Sequence, residues 1–274
     1  DLVLVVGDVN STLACSIVAK KLHIPVVHVE AGLRSFDREM PEELNRLVTD
    51  SISDFFFVTE DSGEKHLLHD GVDPAKIFFT GNVMIDSLVH FKEKASKSIV
   101  LEDNGLTPKE YLLVTLHRPS NVDSIESLTT LAEILNAVAG KIKIVFPIHP
   151  RTLNNLKKNN LSIENDNIVL LEAQGYLDFL QLMQNSKGLL TDSGGIQEET
   201  TFLNIPCLTL RDNTERPVTV DLGTNILLPL DKELILDNLE KVINNNWKQG
   251  QIPRLWDGHA AERMADIIED YLTK

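Results

Sequence analysis

Short apolar segments recur along the whole 274-residue chain, and segments of helical length separate them. The apolar runs are continuous rather than alternating, which is typical of parallel strands that helices cover on both faces. The runs lie at 2–6, 24–29, 55–58, 77–79, 111–116, 142–148, 168–171, 188–191, 205–210 and 225–229. Helical apolar spacing marks 11–22, 61–69, 124–139, 176–186, 195–203 and 231–246. This alternation predicts βαβ units and therefore an α/β fold with parallel sheets.

The length of the chain favours two domains over one. A helical segment at 86–98 is followed by the polar stretch 98–108, and a new series of strands starts at Tyr111. We therefore predict a partial N-terminal Rossmann-like domain over residues 1–85 and a second Rossmann-like domain over 109–257. The last segment, 258–274, is an amphipathic helix that we expect to pack on one of these domains, with the N-terminal domain as a candidate.

The amino-acid composition narrows the classes of partner that this protein can bind. The net charge of −15 argues against nucleic acid, because phosphate backbones are bound by basic patches. A diphosphate needs only a few local cations and backbone N–H groups, so the negative net charge does not exclude a nucleotide ligand. No apolar run is long enough to span a membrane, and no signal-peptide pattern opens the chain. We expect Cys15 and Cys207 to be buried, reduced thiols of a cytosolic protein, and the spacing of cysteine, histidine and carboxylate residues predicts no metal site.

Charged or glycine-rich residues follow five of the predicted strands. In open parallel sheets, ligands bind beyond the carboxyl ends of the strands. A single aspartate at such a position is often only a helix N-cap, but five such ends favour a ligand site. The segments that follow the strands are Gly7-Asp8, Glu30-Ala31-Gly32, His117-Arg118, His149-Pro150-Arg151 and Asp192-Ser193-Gly194-Gly195.

The segment TDSGGIQEE at 191–199 carries the strongest local signal. Ser-Gly-Gly at a helix start presents backbone N–H groups and a favourable helix dipole to an anion. Glu199 lies about one turn further on, where it can accept hydrogen bonds from ribose hydroxyls. The alternative is an ordinary serine N-cap followed by glutamates on a solvated helix face.

Three carboxylates, Asp8, Glu30 and Glu42, form a second signal. If they converge on one wall, mutual repulsion separates their pKa values and supplies an acid and a base at the same pH. Glu42 could equally just favour the helix start that Pro41 indicates. His117 and His149 are either structural residues or cationic neighbours of the anion site.

Several linked motifs, taken together, resemble the non-hydrolysing UDP-N-acetylglucosamine 2-epimerases of bacteria and archaea. The resemblance covers essentially the whole chain, and it implies two Rossmann-like domains in a GT-B-like arrangement with UDP bound in the cleft between them. The motifs are GDVNST (7–12), HVEAGLRS (28–35), MPEELNR (40–46), TGNVMID (80–86), VTLHRPSNVD (114–123), HPRT (149–152), TDSGGIQEE (191–199) and LRDNTERPVT (210–219).

The resemblance implies roles for individual residues. Asp8, Glu30, Glu42 and His117 would be catalytic. Gln174 and Phe179 would lie by the uracil, Ser193, Gly194 and Gly195 would hold the diphosphate, Glu199 would bind the ribose, and Arg216 would help to bind the nucleotide. The resemblance further implies a UDP-sugar as the substrate, no cofactor, a cytoplasmic location and a homodimer.

The implied reaction is inversion at C2 of UDP-N-acetylglucosamine through elimination and re-addition of UDP. Alternatives are a related UDP-2-acetamido sugar as substrate, a hydrolysing epimerase, a GT-B glycosyltransferase, and an inactive fragment that binds UDP or a partner. The chain opens at Asp1 directly in a strand, and the family's glycine-rich first strand–turn–helix has no counterpart in it. We therefore expect that N-terminal sequence is missing, which would leave apolar strands exposed and the activity of this chain in doubt.

Overall fold

The computed structural model describes residues 1–159, 161, 163 and 165–273, and the chain folds into two compact units. The first unit comprises Asp1–Ser87, Thr214–Val218 and Pro253–Lys274, and the second comprises Leu88–Asn213 and Thr219–Ile252. The domain limits inferred from the sequence, 1–85 and 109–257, stay a prediction. Lys274, at the end of the predicted C-terminal helix, lies outside the described residues.

The described residues form ten strands and thirteen α-helices in near-regular alternation. The strands are β1 (Val3–Val6), β2 (Val26–Val29), β3 (Phe55–Val58), β4 (Ile77–Phe79), β5 (Tyr111–Thr115), β6 (Lys143–Pro147), β7 (Ile168–Leu171), β8 (Gly188–Thr191), β9 (Cys207–Leu210) and β10 (Asn225–Leu228). The helices are α1 (Asn10–Lys21), α2 (Pro41–Ile52), α3 (Asp61–His69), α4 (Val83–Ala95), α5 (Val100–Asp103), α6 (Pro119–Val122), α7 (Ile125–Ala139), α8 (Pro150–Lys158), α9 (Tyr176–Asn185), α10 (Gly194–Leu203), α11 (Pro217–Asp221), α12 (Lys232–Ile243) and α13 (Ala260–Leu272).

The first unit contains a four-stranded parallel sheet in the order β1-β2-β3-β4. Val6, the last residue of β1, pairs with Val29, the last residue of β2. Because these carboxyl ends are in register, the residues that follow the two strands meet at one edge of the sheet. β1 is an edge strand, and its residues Leu4 and Val6 are 42% and 45% exposed.

The second unit contains a six-stranded parallel sheet in the order β10-β9-β8-β5-β6-β7. The central strand β5 sends alternate side chains to two separate cores. Leu112 and Val114 pack into one cluster with α7, whereas Tyr111 and Leu113 pack into another with α9. Helices therefore cover both faces, which explains why the strand is apolar at consecutive positions. The predicted fold class, α/β with two Rossmann-like parallel-sheet domains, is confirmed.

The C-terminal helix α13 packs on the sheet of the first unit. Its residues Ala260 and Met264 join the buried cluster around Phe57. The Asp86 carboxylate accepts hydrogen bonds from the backbone N–H groups of Ala260 (3.0 Å) and Ala261 (2.7 Å), so an anion stabilises the helix start. The C-terminal helix therefore belongs to the hydrophobic core of the first unit.

The expectation that both cysteines are buried is wrong for Cys15, which is exposed, whereas Cys207 is buried. The buried residues of α1 are Thr12, Ser16 and Ala19, which repeat at helical spacing. Cys15 falls outside that stripe and faces solvent, because the sheet covers only one side of the helix.

Gly32, two residues after Glu30, allows a close backbone approach that an alanine would prevent. Its φ is +76°, and an added Cβ would lie 2.2 Å from the backbone oxygen of Gly63. We expect Gly32→Ala to lower the free energy of unfolding by about 3 kcal/mol or more, through steric overlap and backbone strain together. Chemical denaturation followed by circular dichroism measures this loss.

Gly71→Ala is the matched control, because Gly71 has a φ of +86° but no atom within 4 Å of an added Cβ. This substitution should cost only the positive-φ penalty of about 1 kcal/mol. Equal losses for the two variants would contradict the steric argument.

Candidate active site

Asp8 and Glu30 follow the in-register ends of β1 and β2 in the first unit. Glu30 is 8% exposed and adopts a φ of +67°, a left-handed conformation that is uncommon outside glycine. Such strain persists where surrounding contacts enforce it, and it is concentrated at functional sites. We refer to Asp8 and Glu30 as the acidic pair.

The environment of Glu30 favours retention of a proton. Burial raises the pKa of the Glu30 carboxyl group, and the negative charges of Asp8 and Glu215 raise it further. The cations Arg216 and His28 oppose this effect, and the net pKa still lies above its ordinary value. Glu30 is therefore easier to protonate than an exposed glutamate, as a group that exchanges protons with a substrate requires.

Arg216 lies beside Glu30 in the first unit. Its Nη2 donates to Glu30 Oε2 at 3.3 Å, and its Nη1 donates to Glu215 Oε1. The residue that the resemblance assigns to the nucleotide is thus placed against a residue that it assigns to catalysis.

Helix α2 holds Asp8 in place. Arg46 donates from Nη1 to Asp8 Oδ2 at 2.5 Å, and Asn45 Nδ2 donates to the Asp8 carbonyl oxygen at 2.8 Å. Arg46 is 1% exposed and also donates to Glu43 Oε2 at 2.7 Å. Glu43 in turn accepts from the backbone N–H groups of Ser35 and Phe36. Arg46 and Glu43 of α2 therefore form a buried ionic network that fixes the Asp8 carboxylate.

Glu42, the third predicted acid, is half-buried in the first turn of α2. Among the described residues its carboxylate makes no hydrogen bond or ion pair with another side chain, and α2 reaches Asp8 through Asn45 and Arg46 instead. The structure thus brings Asp8 and Glu30 together and places Glu42 on the helix that supports them.

In the second unit, Ser193 is the N-cap residue of α10, and Gly194 and Gly195 form its first turn. The Ser193 side chain does not cap the helix, which removes the ordinary N-cap as the explanation for this serine. The uncapped N–H groups and the helix dipole together favour an anion at this position.

Asp192, directly before Ser193, orients His117. Its buried carboxylate accepts from the backbone N–H groups of His117 and Arg118, and it lies 3.1 Å from His117 Nδ1. Burial raises the pKa of Asp192, but the contacts with His117, Arg118 and Asn121 outweigh burial, so the net pKa is below its ordinary value. An ionised Asp192 engages Nδ1 of His117 and leaves Nε2 as the nitrogen available to a ligand.

Glu199 is a buried carboxylate on α10 that contacts Tyr176 at the start of α9. The Tyr176 hydroxyl donates to Glu199 Oε1 at 2.9 Å. Burial raises the pKa of Glu199 to about 7, although the Tyr176 hydrogen bond acts to lower it. Burial also raises the pKa of Tyr176, so its hydroxyl remains a donor at neutral pH.

Gln174 and Phe179 flank Tyr176 in sequence and are both half-buried. Gln174 Nε2 donates to the Glu172 carbonyl oxygen at 2.8 Å, and Phe179 packs against the buried cluster that contains Ile196 of α10. Phe179 therefore lies on a helix that contacts α10, and Gln174 lies in the segment that precedes this helix.

The family model described as UDP-N-acetylglucosamine 2-epimerase matches residues 1–269 of this chain. The chain belongs to the UDP-N-acetylglucosamine 2-epimerase family. The UDP-N-acetylglucosamine 2-epimerase of Methanocaldococcus jannaschii is 43% identical over 284 residues, which cover 98% of this chain and 75% of that protein. The enzyme of the same name from Methanococcus maripaludis is 43% identical over 281 residues, with the same coverage of both chains.

A solved structure agrees with this assignment. The crystal structure of the Methanocaldococcus jannaschii UDP-GlcNAc 2-epimerase in complex with UDP-GlcNAc and UDP matches with a TM-score of 0.87 at 42% identity. The match covers 97% of this chain and 76% of that chain. The predicted family is thus confirmed. Among the described residues, no helix is long and apolar enough to cross a membrane, and no cluster of three or more His, Cys, Asp or Glu side chains is arranged to hold a metal ion.

Sequence reasoning missed three residues that contact candidate residues or the backbone beside them, two in the first unit and one in the second. Arg46 and His28 lie in the motifs MPEELNR and HVEAGLRS, and Tyr176 opens the predicted helix 176–186, but the sequence assigns no role to any of the three. The spacing of Glu43 and Arg46, three residues apart on a predicted helix, could have indicated their ion pair. His28 and Tyr176 carry no comparable local signal, because their partners lie 22 and 23 residues away in sequence.

The raised pKa of Glu199 predicts a pH-dependent stability. Between the ordinary glutamate pKa of 4.5 and about 7, the folded state binds more protons than the unfolded state. The contribution of Glu199 is therefore fully present below this window and is lost as the pH rises through it. We expect Glu199→Gln to be more stable than the parent protein by about 2 kcal/mol at about pH 8, with the difference shrinking towards about pH 5.

Chemical denaturation at several pH values measures this difference in the absence of ligand. Glu133→Gln, at an exposed position in the middle of α7, is the matched control and should show no such trend. A stability difference for Glu199→Gln that does not vary with pH would rule out the titration of this carboxyl group as its cause.

Proposed function

We propose that this chain catalyses the reversible epimerisation of UDP-N-acetylglucosamine at C2, which yields UDP-N-acetylmannosamine without hydrolysis. Membership of the epimerase family supports the reaction, and the Methanocaldococcus jannaschii relative forms a complex with UDP-GlcNAc and UDP. The observation that carries the proposal in this structure is the acidic pair, because inversion at C2 needs two acid–base groups and Asp8 and Glu30 meet at one sheet edge.

The chemistry must begin at C1, because the proton at C2 is not adjacent to a carbonyl group. We propose that the C1–O bond breaks first and that UDP leaves with the electron pair. The resulting oxocarbenium character at C1 acidifies the C2 proton, which a carboxylate removes to give a glycal. A second carboxyl group then protonates C2 on the opposite face, and UDP adds back at C1. These reaction steps are redox-neutral and require no cofactor.

Two different environments suit the acidic pair to these steps. Glu30 is buried with a raised pKa, whereas Asp8 is partly exposed and bound to Arg46. The raised pKa of Glu30 suits it to carry a proton, and the Asp8 carboxylate is the candidate for the second acid–base group. We assign Glu42 to the same acid–base set on the strength of its motif.

The departing diphosphate needs positive or hydrogen-bonding groups. We propose Ser193, Gly194 and Gly195 at the start of α10 for this role, with His117 and Arg216 as additional donors. Preorganised donors that stabilise developing negative charge are a major source of rate enhancement. We further propose that Glu199 accepts from the ribose hydroxyls and that Gln174 and Phe179 contact the uracil.

We also propose that the protein is a cytoplasmic homodimer. Multi-angle light scattering of the purified chain should give about twice the mass of 30.6 kDa that one chain has. A monomeric mass would contradict the dimer and leave the catalytic proposal unaffected.

Proton NMR of UDP-N-acetylglucosamine with the protein in deuterated water tests the reaction and its mechanism together. We expect UDP-N-acetylmannosamine to appear, with solvent deuterium incorporated at C2 at each turnover. Formation of the epimer without exchange would contradict the elimination mechanism. Acceptor-dependent release of UDP without epimer would instead indicate a glycosyltransferase, and release of free N-acetylmannosamine would indicate a hydrolysing epimerase.

Substitution of Glu30 tests its role directly. We expect Glu30→Gln to lower kcat by about a thousand-fold, because the amide cannot exchange a proton with C2. Glu39→Gln, at an exposed position just before α2, is the control and should retain the parent kcat. Glu30→Gln with the kcat of the parent protein would remove Glu30 from the acid–base set.

A further inference from the structure

His28 is a fully buried residue of β2 that lies between two hydrogen-bond acceptors. Its side chain is 0% exposed. Nδ1 lies 2.6 Å from Asp50 Oδ1, and Nε2 lies 2.9 Å from the carbonyl oxygen of Gly7. A carbonyl oxygen and an ionised carboxylate can only accept hydrogen bonds, so both ring nitrogens must carry protons. The geometry therefore describes a buried imidazolium.

The partners of Asp50 support the same protonation state. Asp50 Oδ2 accepts from Arg34 Nη1 at 2.6 Å and from the Gly32 backbone N–H at 3.1 Å, so cationic and neutral donors surround it. Burial raises the pKa of Asp50, but His28 and Arg34 outweigh it and the net pKa is lowered. Burial lowers the pKa of His28, yet Asp50, the Gly7 carbonyl and Glu30 raise it above its ordinary value.

This ion pair holds the two chain segments that carry the acidic pair. The parallel ladder between β1 and β2 ends at the pairing of Val6 with Val29, beyond which the Gly7 carbonyl needs another donor. His28 supplies that donor one residue before Asp8. Asp50 accepts a hydrogen bond from the backbone N–H of Gly32, two residues after Glu30. A single histidine–aspartate pair thus anchors the backbone on both sides of the site.

His28 also places positive charge close to Glu30. The two residues are two positions apart at the end of β2, and the charge of His28 lowers the pKa of Glu30. The other charged groups that act on Glu30 are Asp8, Glu215 and Arg216. Arg216 belongs to the 214–218 segment, so His28 is the cation that the sheet itself contributes.

We propose that His28 is a positioning residue of this active site: as a buried imidazolium paired with Asp50, it anchors the backbone beside Asp8 and supplies fixed positive charge to Glu30. The inference rests on the proposed epimerase function for its consequence in catalysis. Its structural part, a permanently charged His28, does not depend on any substrate.

Two substitutions remove the charge of His28, and each keeps one of its two hydrogen bonds. His28→Gln can still donate to the Gly7 carbonyl from an atom near the Nε2 position, and His28→Asn can still donate to Asp50 from near the Nδ1 position, but both are neutral. We expect each to lower kcat for UDP-N-acetylglucosamine by about 100-fold with a smaller change in KM, because the reacting groups are displaced. In both, the limb of the kcat–pH profile that reports Glu30 should move to higher pH by about one unit, because removal of a nearby cation raises the pKa of a carboxyl group.

His66→Gln is the matched control. His66 lies on α3 in the same unit and contacts a backbone carbonyl, Gly32 O, through Nδ1 at 2.8 Å, so His66→Gln, like His28→Asn, loses a histidine–carbonyl contact. We expect the profile of His66→Gln to keep the parent position. If the Glu30 limb of the kcat–pH profile stays at the parent pH in the His28 variants, whatever their kcat, then His28 is only structural and the proposal is wrong.

NMR of the histidine ring nitrogens tests the charge of His28 independently of activity, first in the unsubstituted protein and then in Asp50→Asn. Both ring nitrogens of His28 should remain protonated across neutral pH, and in Asp50→Asn the pKa of the ring should fall. A neutral ring in the parent protein would overturn the proposal. A charged ring in a protein that does not turn over UDP-N-acetylglucosamine would leave the ion pair in place and reject the proposed epimerase function instead.

Discussion

Parallel pairing with matched carboxyl ends is the constraint on which each candidate site in this protein depends. In the first unit, the register of β1 with β2 brings Gly7 and Asp8 beside Glu30. In the second unit, the pairing of Thr115 with Thr191 brings His117 beside Asp192. A register shift of one residue would turn these side chains towards the opposite face of the sheet. The hydrophobic strands therefore determine where the polar chemistry can occur.

Buried charges near the strand ends are paired rather than isolated. Arg46 bridges Asp8 and Glu43, His28 and Arg34 share Asp50, and Asp192 is surrounded by donors from the segment after β5. Isolated charges would be costly to bury, whereas paired and hydrogen-bonded ones can be retained. Such networks add little net stability, and their value lies in orientation. The first network reaches Asp8, the second holds the backbone beside Asp8 and Glu30, and the third reaches His117.

In two buried carboxyl groups, nearby cations and hydrogen-bond donors do not fully offset the cost of burying the charge. Burial raises the pKa of both Glu30 and Glu199. Desolvation that nearby cations or donors do not fully offset is a cost in the ligand-free protein, and it is typical of residues whose charge or hydrogen bonds serve a substrate. The two residues lie in different units and differ in the proposed role, since Glu30 would exchange a proton and Glu199 would bind hydroxyl groups.

Much of the fold follows from local patterns in the sequence. Unbroken apolar runs and helical spacing located all ten strands within a few residues, and linked motifs indicated the family. The helices α5, α6, α8 and α11 escaped this reasoning, because α5, α6 and α11 span only four or five residues and α8 has only two leucines to mark its apolar face. The burial of Cys15 was wrongly expected, since the side of α1 that meets the sheet depends on packing and not on the residue type.

The sequence by itself determined which residue types stand after each strand, and hence the presence of Asp8, Glu30, Ser193 and Glu199 as candidates. Only the tertiary structure decided their partners. The placement of Arg216 beside Glu30, the support of Asp8 by Arg46 and the charge of His28 all depend on contacts between segments far apart in the chain. Local propensity and periodicity act over one or two turns of chain, whereas the pKa of a carboxyl group depends on burial and on charges that folding brings within a few ångströms.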